Sequence, residues 1–198
     1  MPITLDKPGV NSPEGPQRTR FTRDQYHFLF DNGLLSEDRR YELVEGAVLE
    51  KMGQKEPYIG LIMRWVFALA RVMGQSFVRC QAPIALTDYS EPEPDVVVTT
   101  DPAEVYIHSG NTPTAKEARL VIEVSVSSLK YDLEIKSRMY ARAGIPEYWA
   151  SDVEGRRLIV HRDPTADGYA SVVSLSEGES VSLLSAPHAV FVVADFLP

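Results

Sequence analysis

The sequence predicts an α/β protein of the α+β kind: a central mixed β-sheet flanked by helices, with one additional hairpin. Three observations carry this reading. Along the 198 residues the apolar periodicity changes in the order helix, hairpin, helix, strands, helix, strands, without the regular strand–helix alternation of doubly wound sheets and barrels. Residues 95–99 and 120–126 are apolar and β-branched enough to be buried strands. Hydrophobic residues make up 44% against 24% charged, and a chain of this length buries roughly 70% of its unfolded surface without a disulfide or metal staple.

Residues 1–18 carry five prolines and glycines in addition to Pro2 and show no hydrophobic period, which predicts an extended or poorly ordered arm. Residues 19–198 are expected to form a single domain. Thr22-Arg23-Asp24-Gln25 has capping-box spacing, followed by Tyr26, Leu29 and Phe30 at helical intervals and by Gly33 as a stop. Tyr41-Glu42-Leu43-Val44 and Ala47-Val48-Leu49-Glu50 flank Glu45-Gly46, a hairpin with glycine supplying a positive φ. From Tyr58 to Met73, the residues Ile59, Ile62, Met63, Val66, Leu69, Ala70 and Met73 recur at three and four and predict a core-facing helix that ends at Gly74.

Short strands are expected over residues 77–80 and 84–86, a buried strand over 95–99, and a polar connector with room for one helical turn over 103–117. Residues 120–126 predict a central strand. Ser128 or Asp132 is placed to cap a helix running to about Ala143, where Gly144 and Pro146 stop it. Strands follow over 147–150, 157–162 and 169–175.

Composition excludes several function classes. One cysteine, Cys80, leaves no intramolecular disulfide and too few thiolates for a zinc finger or iron–sulfur cluster. It is read as a small buried side chain in a reducing, cytoplasmic compartment. The stretch from Met1 to Asp6 has neither a basic nor an apolar segment, so neither a secretion signal nor a membrane span is expected. Twenty Lys and Arg stand against 28 Asp and Glu, a net charge of -8; binding nucleic acid would need a local basic patch or cations at a carboxylate-rich site. The four histidines lack HxH or HExxH spacing, and phosphate-loop, dinucleotide and nucleophile-elbow motifs are missing.

An ionised carboxylate on an interior strand is costly unless something pairs with it. Glu123 interrupts such a strand. Alternate strand residues share a face about 7 Å apart, so Val121, Glu123 and Ser125 point one way and Leu120, Ile122 and Val124 the other. Asp95 heads the second buried run, after Glu91-Pro92-Glu93-Pro94. Glu91 and Glu93 are read as a solvated acidic loop. If the two strands pair, Asp95 and Glu123 set hard oxygen ligands side by side, as Mg²⁺ or Mn²⁺ requires. The next helix places Asp132, Lys136 and Tyr140 one turn apart on one face. A surface ion pair is one reading of Lys136; a lysine aimed at the carboxylates, serving a phosphoryl oxygen or an attacking water, is the other.

Pro94-Asp95 followed 28 residues later by Glu123 resembles the PD-(D/E)xK nuclease superfamily. More narrowly, Tyr41-Glu42-Leu43-Val44-Glu45-Gly46, Glu93-Pro94-Asp95-Val96-Val97-Val98, and Leu120-Val121-Ile122-Glu123-Val124-Ser125 through Asp132, Lys136, Tyr140 and Gly144-Ile145-Pro146-Glu147-Tyr148-Trp149 resemble the Uma family of restriction endonucleases. The resemblance implies a restriction endonuclease-like fold and a Mg²⁺- or Mn²⁺-dependent endonuclease acting on DNA, with Asp95 and Glu123 as metal ligands. It implies Glu42 as a third ligand or a water-positioning group. The superfamily lysine belongs two residues after the second carboxylate, where this chain has Ser125; Lys136 matches its relocated position. A homodimer follows by the same analogy. Two alternatives are a catalytically inactive module binding nucleic acid or a protein, favoured by the charge and by Ser125, and a phosphodiesterase acting on something smaller than DNA.

Overall fold

The two-faced pattern of residues 120–126 becomes the organising strand of the molecule. A computed structural model describes residues 19–51 and 55–198; the arm expected over residues 1–18 lies outside the described residues. The helices are α1 (Arg23–Asp31), α2 (Tyr58–Met73), α3 (Ala103–Ser109), α4 (Leu129–Tyr131) and α5 (Ser137–Arg142), the last two joined by a π turn (Asp132–Lys136). The strands are β1 (Tyr41–Val44), β2 (Ala47–Glu50), β3 (Val78–Cys80), β4 (Val96–Thr99), β5 (Ala118–Ser125), β6 (Glu147–Asp152), β7 (Arg157–Thr165), β8 (Gly168–Ser176), β9 (Ser180–Leu183) and β10 (Ala186–Val192).

Strands β3 to β8 form one six-stranded sheet in sequential order, and β1–β2 and β9–β10 form separate hairpins. β5 and β6 run parallel, whereas the other neighbours in the sheet are antiparallel. A parallel step needs a crossover, and α4, the π turn and α5 supply it.

Burial follows the pleat. On one face Val96 and Val98 of β4, Leu120, Ile122 and Val124 of β5, Trp149 of β6, and Leu158 and Val160 of β7 pack against Leu61, Ile62, Trp65 and Leu69 of α2 and against Phe191 and Phe196 near the C-terminus. On the other, Val97, Val121, Tyr148, Ala150 and Ile159 pack against Val44 of the hairpin and Met139, Tyr140 and Ile145 of the crossover. At roughly 25 cal/mol per Å² of apolar surface removed from water, these two layers are the main stabilising term. Trp65 is the keystone of the first layer: fully buried, it stacks on Phe196 with ring centroids 3.6 Å apart and planes within 8°.

Several expectations are corrected by packing. The buried stripe of α2 is Leu61, Ile62, Trp65 and Leu69, so the helix is rotated from the predicted stripe: Trp65 was not on it, and Ile59 is exposed. Residues 84–86 join no sheet; Ala85 makes one isolated parallel bridge to Thr114, because Ile84 and Ala85 donate instead to Pro92 and Pro113 carbonyls. The polar connector contains α3, capped by Gly110 in the left-handed conformation. Cys80 is exposed rather than buried, since β3 is an edge strand. The α1 capping box forms as predicted, Thr22 accepting from the Gln25 N–H while the Gln25 side chain accepts from the Thr22 N–H. In the β1–β2 turn both Glu45 (φ 53°) and Gly46 (φ 84°) are left-handed, the signature of a type I′ hairpin.

Trp65→Ala is expected to destabilise the fold by about 3 to 5 kcal/mol in urea denaturation. Trp65→Phe should cost far less, because the indole N–H has no hydrogen-bond partner among the described residues. A pH dependence follows from His161 of β7, buried between the rings of Tyr148 and Tyr169. Burial lowers its pKa from the ordinary value, so the stability of the neutral ring is fully present above about pH 6.5 and is lost as pH falls below it. The His161→Phe variant should therefore show a shallower fall in stability below pH 6.5 than the parent, by up to about 1.4 kcal/mol per pH unit.

Candidate active site

Strand register brings the first two predicted residues together. β4 and β5 pair Val96 with Ile122 and Val97 with Val121; one step further sets Asp95, just before β4, opposite Glu123. Directly opposed residues share a face with Cβ atoms about 5 Å apart, here the face covered by the crossover. Asp95 is 1% exposed and Glu123 3%, so neither carboxylate is hydrated in the ordinary sense. Asp95 Oδ2 accepts from the Val124 N–H at 2.8 Å and Oδ1 from the Tyr58 hydroxyl at 2.5 Å. Burial, and then the charge of Glu123, push its pKa up to about 6.

Lys136 approaches from the crossover. Its Nζ lies 2.9 Å from Glu123 Oε1 and 3.2 Å from Glu42 Oε2, and the Tyr140 hydroxyl donates to the same Glu123 oxygen at 2.8 Å. Burial disfavours the ammonium, but Glu123, Glu42 and Asp132 outweigh it and hold its pKa well above the ordinary lysine value. The result is a charged lysine, 4% exposed, carried between two carboxylates. Asp132, one turn earlier, accepts from the Ser125 hydroxyl at 2.8 Å and the Ser128 hydroxyl at 2.5 Å; burial, then Glu123, raise its pKa to about 6.

Glu42 is delivered by the hairpin. Leu43 and Glu91 exchange both backbone hydrogen bonds, at 3.1 and 2.8 Å, and the Glu93 N–H donates to Glu42 Oε2 at 3.2 Å. These contacts dock β1 against the segment leading into β4. Glu42, Tyr58, Asp95, Glu123, Asp132 and Lys136 then line one cavity of about 650 Å³, with Lys51 and Lys55 among the other lining residues.

The donor set fits a hard divalent cation. Asp95 has no ion-pair partner among the described residues, and Glu123 Oε2 accepts no hydrogen bond there, its Oε1 taking both. No three His, Cys, Asp or Glu side chains gather at metal-binding spacing among the described residues. A cation would therefore take Asp95 and Glu123 and complete its shell with water, the usual arrangement for Mg²⁺.

All four predicted residues, Glu42, Asp95, Glu123 and Lys136, meet in this cluster, with Glu42 on the lysine side of it. Glu91 and Glu93 do not join, and neither is a solvated loop residue. Glu91 is buried and paired with Arg23 at 2.6 Å and His27 at 2.8 Å, and Glu93 is paired with Arg40 at 2.8 Å. The helical spacing that relates Asp132 and Tyr140 to Lys136 was visible in the sequence, although their partners were not. Tyr58 carried no signal, because its partner lies 37 positions away. Away from the cavity lining, Arg142 at the end of α5 and Arg156 and Arg157 at the start of β7 are paired with Glu45, Glu177 and Asp152.

A model of the Uma2 family, described as "Putative restriction endonuclease", matches residues 24–194. A search of curated proteins gives no match. Among solved structures, a nuclease described as "putative" and belonging to DUF820 from Anabaena variabilis ATCC 29413 superposes with a TM-score of 0.67 at 16% identity, covering 89% of this chain and 97% of that one. At that identity the likeness is one of fold. No helix among the described residues is long and apolar enough to cross a membrane.

Removing the ammonium strands two buried carboxylates, so Lys136→Met is expected to lose roughly 3 to 5 kcal/mol of stability. Combining it with Glu42→Gln should cost less than the sum of the two single changes, by about 0.5 to 3 kcal/mol in a denaturation double-mutant cycle.

Proposed function

We propose that this chain, which belongs to the Uma2 family of putative restriction endonucleases, is a Mg²⁺- or Mn²⁺-dependent endonuclease that hydrolyses phosphodiester bonds in DNA at the cavity above Asp95 and Glu123. The observation that carries the reading is a pair of buried carboxylates opposed across two strands, with a lysine ammonium 2.9 Å from one of them. Asp95 and Glu123 would hold the cation, which when bound supplies an acidified water and neutralises charge on the phosphoryl group.

The remaining work falls to the chain. Lys136 is kept charged by Glu42 and Glu123 and has hydrogens to offer a phosphoryl oxygen or an attacking water. Glu42 holds the ammonium at the cavity floor through a bond that survives if Glu123 turns to a ligand. Tyr58 and Val124 fix both oxygens of Asp95, and Tyr140 fixes one of Glu123, so the two carboxylates are oriented before anything enters. Preorganised groups of this kind cost no rearrangement at the moment of reaction.

A second reading, a non-catalytic nuclease-fold module, has one observation in its favour: a chain of net charge -8 in which Arg142, Arg156 and Arg157 already serve its own carboxylates. The deciding experiment uses plasmid and oligonucleotide DNA with Mg²⁺, Mn²⁺ or chelator, beside calorimetric titration of the metals. We expect metal-dependent cleavage, at least about 100-fold lower in Asp95→Asn, with an unchanged or higher melting temperature and lost metal uptake in that variant. Metal uptake or DNA binding without cleavage would support the inactive module; neither uptake nor cleavage would remove the metal site altogether.

A further inference from the structure

Asp132 makes no side-chain bond to Asp95, Glu123 or Lys136, and beyond its charge helping to keep the ammonium protonated it has no assigned role. It is 3% exposed. Its Oδ2 takes hydrogens from two hydroxyls, Ser125 at 2.8 Å and Ser128 at 2.5 Å, and its backbone carbonyl accepts from the Tyr148 hydroxyl at 3.2 Å. Lys136 makes its ion pairs with Glu42 and Glu123 instead. A buried carboxylate served only by neutral donors costs stability, so it needs another justification.

The geometry supplies one. Glu123 and Ser125 are two apart on one face of β5, a spacing of about 7 Å; Asp132 and Lys136 are four apart on the crossover, an advance of about 6 Å in an α-helix and less in a π turn. The crossover runs back along β5 to reach the start of the parallel strand β6. Asp132 therefore meets Ser125 where Lys136 meets Glu123, and the two contacts form successive rungs between strand and helix. One rung would leave the helix free to pivot, particularly here, where it is assembled from pieces of three, five and six residues. Two rungs fix both its rotation and its position along the strand.

We infer that Asp132 is a positioning residue: its bonds to Ser125 and Ser128 lock the π turn onto the end of β5 and thereby aim the Lys136 ammonium at Glu123. The consequence for cleavage rests on the function proposed above, whereas the consequence for the lysine does not. A neutral acceptor of the same shape suffices for this role, because the donors are hydroxyls.

The test compares Asp132→Asn, Asp132→Ala and Ser125→Ala in the full chain. The first readout is the ¹H–¹⁵N resonance of the buried Lys136 ammonium, assigned by its absence in Lys136→Arg; the second is kcat and KM on a duplex oligonucleotide with Mg²⁺. Asp132→Ala is expected to broaden or abolish the ammonium signal and to lower kcat roughly 100-fold with KM unchanged. Asp132→Asn should keep the signal and stay within a few-fold of the parent kcat. If Asp132→Ala fails to fold, Ser125→Ala, which removes one hydroxyl, should show the same loss in weaker form. An intact ammonium signal in the alanine variants would overturn the inference, as would an Asp132→Asn variant that is inactive with its signal intact, since the carboxylate would then be needed for its charge. A parent chain that cleaves nothing, yet loses the signal in Asp132→Ala, would refute the nuclease reading and leave the positioning role standing.

Discussion

The contact on which this molecule depends is the ammonium of Lys136 held between Glu42 and Glu123. Two carboxylates, Asp95 and Glu123, are forced into opposition by the β4–β5 register, inside a layer where charge is expensive. Lys136 offsets one of them, and it can do so only because the crossover lies against that face and the hairpin brings Glu42 to the other side of the nitrogen. Sheet order, the parallel β5–β6 step and the docking of β1 on the Glu91 segment can all be understood as conditions for assembling this one cluster.

The division of labour between the faces of the sheet follows. The α2 side is almost wholly apolar, with Phe196 stacked on Trp65 and Trp149 tilted against it. The crossover side mixes Val121, Ala150 and Ile159 with tyrosines whose hydroxyls each reach a polar partner: Tyr140 reaches Glu123, Tyr148 the Asp132 carbonyl and Tyr169 the Ile145 carbonyl. One layer supplies cohesion, and the other accommodates the charged groups that line the cavity.

Local patterns were legible in the sequence because local forces made them. The capping box at Thr22, the hairpin over Glu45-Gly46, the full extent of α2 and the alternation around Glu123 are set by neighbours within a few residues. Asp95, Glu123 and Lys136 stood out because polar groups at buried or helix-facing positions demand partners. Rotation of α2 was not legible, since Trp65 is drawn inward by Phe196, 131 positions later, rather than by its helical neighbours. The fate of Glu91 and Glu93 was hidden for the same reason: Arg23, His27 and Arg40 come from α1 and the loop after it. In the last hairpin β9 alternates, with Val181 and Leu183 turned inward, whereas β10 shows no such period.

Because its cluster draws on positions 42, 95, 123 and 136, the cavity exists only once the hairpin, the sheet and the crossover have met. The meetings of Glu42 with Lys136 and of Asp95 with Glu123 join distant parts of the sequence, and such contacts form slowly compared with turns and helices. A half-synthesised or clipped polypeptide can contain every acidic group and still lack the lysine that unites them. The four side chains thus come together only in a chain whose crossover is finished, and no shorter fragment holds the whole cluster.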